Sequence, residues 1–448
     1  MDRTREELIA ENTLLRERLA ALESEVEMLR NMLSGGGKGS SAAPFIKPNR
    51  QQRREQERAE RKKRTQSFTR KRDAATREVR HAVENCPDCG RKLSGGWEHS
   101  RRQVIEIPDT RIEIIDHLLI ARVCGVCGKV HIPKLTISDG VIGKQRMGVR
   151  LMSLVSTLSV AKRMPQRLIQ KLLEGLFDLH ISIGEINEVL HRVSEWSKPI
   201  VCEILGKIRG SPDANADETG WREDGINGYL WSVSTGNERF YYFHRRRAAR
   251  IIRHILGKFG GVLGCDFYKG YDWYPGPKQR CWAHLLRDLA KLVDKHVSDV
   301  ELSGWVEMVK DIYKAAKKAA RRRVDDATRV LLREALQERL LQVAEPYLKD
   351  KDAPQHVLAK RICQYLPELF TFVEHPYAAS SNNAAERAIR PAVIARKISG
   401  GTRSAKGSQT KTRLMSVFAT WALQGKEPIA ACARMIVAAN TRTATAMQ

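Results

Sequence analysis

No apolar run in the 448 residues approaches the ~18 that a membrane-crossing helix requires, which excludes a membrane-spanning reading. Acid is in short supply: 52 Asp and Glu stand against 78 Lys and Arg, for a net charge of +26. So large an excess points to a polyanionic partner, nucleic acid before membrane. The nine Cys are odd in number and fall as two tight pairs and five scattered residues. That pattern fits a reducing compartment with a metal site better than a disulfide framework. The opening MDRTREELIAENTLL is charged and heptad-patterned and does not read as a secretory leader. The expected setting is the bacterial cytoplasm, in association with the nucleoid.

The length asks for several domains. Leu8, Asn12, Leu15, Leu19, Leu22, Val26, Leu29 and Leu33 alternate at spacings of four and three, so 1–34 reads as a coiled-coil oligomerisation helix. Asn12 as a single polar seam position fixes register and favours a parallel dimer over packing on the chain's own domain. Residues 35–80 read as a flexible basic linker and arm. Residues 47–80 carry 14 Lys/Arg against 5 Asp/Glu, a net +9, and include Arg61, Lys62, Lys63 and Arg64 as DNA contacts.

Residues 81–135 hold Cys86-Pro-Asp-Cys89-Gly and Cys124-Gly-Val-Cys127-Gly, bridged by an alternating, β-branched run. Two such knuckles joined by strands describe a zinc ribbon with one structural Zn²⁺ on four thiolates. His81, His99, His117 and His131 lie nearby, but four Cys already complete the site. Residues 140–208 are helical, with a helix-turn-helix look: a helix ending near Phe177, then a helix from Ile183 capped by Ser182. Two packed helices without DNA contact explain the pattern nearly as well.

From residue 211 the texture becomes strand, strand, strand, helix, strand. Asp217 lies in the first strand and Asp266 ends the last, GGVLGCD. That order opens a ribonuclease-H-like fold, in which the first strand is central and both carboxylates reach one edge of the sheet. The expected catalytic core is 209–290 with 376–425, interrupted by an α-helical insertion at 291–375 and followed by a polar, loose tail at 426–448. In SSNNAAERAIRPAVIARK, Asn382 or Asn383 is placed to cap a helix with Glu386 in its first turns. Phosphodiester cleavage needs an activated water or 3′-hydroxyl and a stabilised leaving oxygen. Two Mg²⁺ (or Mn²⁺) ions held by hard oxygen ligands supply both.

The motifs DETGW at 217–221, CD-x-x-x-GY around Asp266 and Tyr271, CWAHLLRDL at 281–289 and NNAAERAIRP at 382–391 together resemble the transposases of the insertion sequence 66 family. The resemblance runs from the Cys pairs to about residue 425. It implies a DDE transposase with Asp217, Asp266 and Glu386 as the catalytic, metal-holding triad, and accessory proteins from the same element. Cys281 and His284 resemble a C-x-x-H motif of several DDE families, with a structural or DNA-positioning role. Where the family has Asp before the NN, this chain has Ser381.

Asp213 rivals Asp217, since both share a face of a regular strand. Glu218 should face the other way. Asp272 and Asp288 read as ordinary acids. Arg245, Arg246, Arg247, Arg387, Arg390, Arg396 and Lys397 are further expected phosphate contacts, and Lys314, Lys317, Lys318, Arg321, Arg322 and Arg323 form a patch in the insertion. Trp221, Trp231, Trp273 and Trp282 read mostly as core. The whole predicts a multidomain α+β enzyme that binds terminal inverted repeats, hydrolyses a phosphodiester and transfers the strand, paired as at least a dimer. A nuclease that cuts without joining, or a non-catalytic regulator, are the alternatives.

Overall fold

The computed structural model describes residues 73–107, 112–142 and 145–445. The heptad seam, the linker and Arg61 to Arg64 lie outside the described residues. The chain divides into two compact units, Met1–Glu106 and Ile107–Gln448.

In the first unit the described residues hold almost no regular structure. Their one ordered turn wraps Cys86: Cys86 N–H donates to Arg91 O at 2.8 Å and Gly90 N–H to Cys86 O at 2.8 Å, with Gly90 at φ 73°. The second unit opens on a turn of the same kind. Cys124 N–H donates to Lys129 O and Gly128 N–H to Cys124 O, both at 2.9 Å, with Gly128 at φ 67°. Glycine reaches that left-handed conformation without strain. Strands β1 (Arg122–Val123) and β2 (Val130–His131) flank the turn as an antiparallel pair. The alternating run expected as strands forms none over 112–121. Ile114, Ile115, Leu118 and Ile120 are exposed there, so the pattern has no layer to bury against in this unit.

Helices α1 (Val149–Ser156), α2 (Gln166–Phe177), α3 (Ile183–Trp196) and α4 (Lys198–Arg209) follow. Ser182 caps α3 in a capping box with Glu185, as its sequence position predicts. The apolar faces of these helices enter the same core as the sheet described next, so 140–208 is no separate module. On α3, the helix expected to read DNA, Glu185, Glu188 and Glu195 face solvent. Glu188 is paired with Arg192 at 2.9 Å, and Glu195 with Lys198 and with Arg413 at 2.7 Å.

The sheet comprises β3 (Asp213–Glu223), β4 (Ile226–Ser234), β5 (Arg239–His244), β6 (Val262–Cys265) and β7 (Lys278–Arg280) in the order β5-β4-β3-β6-β7. β3, β4 and β5 are antiparallel neighbours, whereas β6 and β7 run parallel to β3. A parallel return needs a crossover, and α5 (Ala249–Leu256) supplies it between β5 and β6. This mixed sheet, with the first of its strands central, is compatible with a ribonuclease-H-like domain.

α6 (Trp282–Lys295), α7 (Val300–Ala320), α8 (Asp326–Ala344), α9 (His356–Gln364), α10 (Leu366–Leu369) and α11 (Thr371–Glu374) build a second core around Trp282, Trp305, Leu340 and Phe370. This stretch is helical throughout, and its core begins at Trp282. α12 (Asn383–Ser399) and α13 (Ala405–Leu423) then return to the sheet. Tyr241 N–H donates to Ser416 Oγ at 2.9 Å and Arg239 N–H to Thr420 Oγ1 at 3.0 Å, which docks α13 on β5. The tail expected to be loose is instead helix α14 (Pro428–Thr445), packed on α1. Ala431, Cys432, Met435 and Ile436 are buried at helical spacing, a signal hidden beside the polar ending.

Candidate active site

β3 carries Asp217 near its middle, facing Ser232 of β4. The parallel register pairs Asp213 with Val262, Ala214 with Leu263 and Asn215 with Gly264. Continued two positions, the same offset sets Asp217 beside Asp266, the first residue after β6. Asp213 lies four residues back along the strand, roughly 13 Å away, and burial alone raises its pKa.

Glu386 comes from the first turn of α12, and three contacts lay that helix along β3. Asn382 Nδ2 donates to Ala216 O at 2.8 Å. The Arg396 guanidinium donates to Gly220 O. Beyond the helix end, Thr402 N–H donates to Arg222 O at 2.9 Å and Asp224 N–H to Thr402 O at 2.8 Å. Gly401 permits this last approach: at φ 126°, a Cβ there would stand 2.1 Å from Arg222 O. Asn382 was expected as a side-chain cap, but it makes no cap bond and clamps the strand instead. Its own N–H donates to Cys281 Sγ at 3.0 Å. His284 Nε2 and Arg287 Nη2 both stand 3.6 Å from Glu386 Oε1. The Cys281–His284 pair therefore touches the Glu386 helix through both members. Arg287, one helical turn on, shares that face, and only its i+3 spacing from His284 could have revealed it.

Asp266 is held from behind. Arg280, with no exposed side-chain surface, donates from Nη1 to Asp266 O at 2.7 Å and to Tyr268 O at 3.3 Å. Its charge is met by Glu368 Oε2 at 2.5 Å and by Asp272, and its plane lies 4.3 Å from the Tyr365 ring centre. Asp272 is thus an exposed carboxylate paired with a buried guanidinium. Glu368 comes from the insertion, so the second core reaches the backbone of Asp266. A buried, paired Arg in a short strand leaves no trace in the sequence.

Two of the three candidate acids, Asp217 and Asp266, are turned to local backbone partners. Asp217 Oδ1 accepts from Glu218 N–H and Asp266 Oδ1 from Tyr268 N–H, both at 2.9 Å. As the side chains stand, no three His, Cys, Asp or Glu among the described residues surround one metal position. The electrostatics nonetheless ask for a cation. Burial, then the charges of Glu218, Asp266 and Glu386, push the Asp217 carboxyl up to about 7. Buried Glu386 Oε1 accepts no hydrogen bond. Hard oxygen donors under mutual repulsion, one of them without a donor, fit a divalent ion of the Mg²⁺ class.

Glu218, the next residue along β3 and expected to face the other way, is buried within range of the Asp266 charge. It accepts from Tyr271 Oη at 2.6 Å and from Arg247 Nε at 2.7 Å, and burial raises its pKa. The Arg247 guanidinium also covers the Tyr268 ring, 3.8 Å from its centre. Among the expected phosphate contacts, Arg247 is therefore engaged with Glu218, Arg245 with Glu223 at 3.1 Å, and Arg396 with β3. These three hold the scaffold. Arg246, Arg387, Arg390 and Lys397 remain exposed, the last three on α12. Trp221, Trp231 and Trp282 are buried, and Trp273 packs partly buried against the first core. Asp288 pairs with Arg361 at 2.7 Å.

At the two knuckles, backbone N–H groups aimed at the first thiol lower its pKa: those of Cys89 and Asp88 at Cys86, and those of Cys127 and Val126 at Cys124. Thiols so favoured as thiolates, on a left-handed glycine turn, suit a soft-ligand Zn²⁺ site.

The sequence model of the Transposase IS66 family matches residues 144–410, more than half of the chain. An uncharacterised protein of Sinorhizobium fredii, y4qI, is 26% identical over 213 residues, which are 42% of this chain and 38% of that protein. The chain thus spans well under half the length of that curated relative.

Proposed function

The chain belongs to the IS66 transposase family, and from that premise we propose that it is a DDE-type, ribonuclease-H-like DNA transposase using Asp217, Asp266 and Glu386. The observation that carries this reading is the level register of Asp217 and Asp266, with Glu386 pinned along the same strand. Divalent ions on these acids would activate the attacking oxygen and stabilise the leaving one. The chain's own part is to fix the acids. Asn382 ties the start of α12 to β3, Arg280 ties Asp266 to the insertion, and Cys281 with His284 supports Glu386. Arg387, Arg390 and Lys397 offer exposed charge along α12 for phosphates.

The substrate would be the terminal inverted repeats of an insertion sequence. Hydrolysis would free a 3′-hydroxyl that then attacks target DNA, and the heptad seam would pair two copies. The Cys86–Cys89 knuckle and the Cys124–Cys127 knuckle would each offer thiolates to structural Zn²⁺. Among the described residues no helix is long and apolar enough to cross a membrane, and we place the protein with DNA in the bacterial cytoplasm, alongside accessory proteins of its element. The test is end DNA with Mg²⁺, both intact and pre-nicked. Cleavage followed by joining, both lost in Asp217→Asn, is the expected result. Cleavage without joining leaves a nuclease, and binding without cleavage in Mg²⁺ or Mn²⁺ leaves a regulator.

A further inference from the structure

Five cations at the end of α7 and just beyond it are left over by the scaffold. Earlier on the helix, Lys310 is answered by Glu307 at 2.7 Å and Lys314 by Asp311 at 2.8 Å. Lys317, Lys318, Arg321, Arg322 and Arg323 are exposed and make no ion pair among the described residues. The nearest acid in sequence, Asp325, is occupied capping α8 through Thr328 N–H at 2.7 Å.

Cations near a helix C-terminus are favoured by its dipole. One or two satisfy that preference. Here Lys314 and Lys318 stand four residues apart on α7, where like charges destabilise a helix, and Arg321, Arg322 and Arg323 follow directly on its end. A ridge of one sign, held against its own repulsion, suits a polyanion.

Its place ties it to the site. Lys317 Nζ lies 4.6 Å from the Tyr313 ring centre, and Tyr313 Oη hydrogen-bonds Ser380 Oγ at 2.9 Å. The Trp282 ring stacks on Tyr313 at 4.6 Å, and its backbone N–H donates to Ser380 O at 3.1 Å. Two residues after Ser380 comes Asn382, which clamps the strand of Asp217. The ridge is therefore braced on the segment that introduces Glu386.

We propose that Lys317, Lys318, Arg321 and Arg322 bind the phosphodiester backbone of duplex DNA, a second and sequence-independent contact made by the insertion beside the catalytic carboxylates. The proposal rests on the transposase reading for the identity of that DNA. It implies that the insertion grips the duplex while the sheet carries the acids.

The test compares the full chain with Lys317→Gln/Lys318→Gln/Arg321→Gln/Arg322→Gln and with the charge-keeping Lys317→Arg/Lys318→Arg/Arg321→Lys/Arg322→Lys, on end-containing duplex across a salt series. Each lost phosphate contact lowers the slope of log affinity against log salt by about 0.9. The Gln variant should therefore lose about 2 to 4 in slope and bind ~10-fold or more weakly at moderate salt. Its cleavage rate at saturating DNA should stay within about twofold of the parent, because none of the four lies among the catalytic groups. The charge-keeping variant should retain the parental slope. An unchanged slope in the Gln variant, an equal loss in both variants, or a parent that binds no DNA overturns the proposal. A parent whose slope depends on the ridge but which never cleaves in Mg²⁺ leaves the ridge standing and sinks the transposase reading instead.

Discussion

The parallel register that pairs Asp213 with Val262 and Asn215 with Gly264, extended two positions, brings Asp217 of β3 level with Asp266, the first residue after β6. One lies inside a continuous ladder and the other at the first position beyond one. Asp217 is held by the ladder itself, and Asp266 by its position directly after β6 and by Arg280 behind its carbonyl. Glu386 joins them on a helix tied to the same strand at Ala216, Gly220 and Arg222.

Asp217 gives the metal-free protein a pH signature. Its carboxyl titrates near 7 when folded and near 3.9 in an unfolded chain. This raised pKa favours folding fully below about pH 4, and the benefit is lost as pH rises through about 7, on the order of 4 kcal/mol in all. Asp217→Asn should flatten the decline and be the more stable form at about pH 8. Urea unfolding in chelator at acid and mildly alkaline pH measures it, and an identical pH dependence in both proteins would refute the repulsive cluster.

Divalent metal should reverse that penalty. A ligand binding only the native state at about 100 times its Kd adds about 2.7 kcal/mol. Mg²⁺ or Mn²⁺ should therefore raise the melting temperature of chelator-treated parent protein. Asp266→Asn should lose most of the rise, and a full rise in that variant would place the ions elsewhere.

Arg280→Met should unfold the region behind Asp266. Removing the buried guanidinium should cost about 1 to 3 kcal/mol, since the carbonyls of Asp266 and Tyr268 lose their donor and the partly exposed Glu368 and Asp272 lose their partner. A loss below about 1 kcal/mol in denaturant titrations would mean that Arg280 is not the anchor its contacts describe.

Asn382→Ala should act on rate more than on binding. The clamp is one buried hydrogen bond, worth about 1 to 3 kcal/mol of stability when its acceptor is orphaned. Loosening the start of α12 should slow cleavage by about 10- to 100-fold, the range for lost supporting contacts at metal sites. DNA affinity should change little. Weakened binding with a normal rate would assign Asn382 to DNA instead.

The sheet and its two Asp were legible because strands announce themselves by alternation and because GGVLGCD ends on its carboxylate. Glu386 was legible from a helix start. The contacts that fix these acids were not, because they join residues far apart in the chain: Arg280 to Glu368, Asn382 to Ala216, Thr402 to Arg222. The basic residues show the same limit from the other side. Arg245, Arg247 and Arg396 look like phosphate contacts in sequence, and only the fold brings Glu223, Glu218 and Gly220 to them. In 426–448 the polar ending masked an apolar helical stripe, and between the Cys pairs an alternating run met no layer to pair with.

The most direct measurement is the Mg²⁺-dependent cleavage rate of end DNA by Asp217→Asn and Asp213→Asn side by side. Loss of a metal-holding carboxylate should slow cleavage by roughly 10³-fold or more in Asp217→Asn, while Asp213→Asn stays within about threefold of the parent. The reverse pattern, with Asp213 essential and Asp217 dispensable, would contradict the assignment of Asp217, Asp266 and Glu386 as the catalytic set.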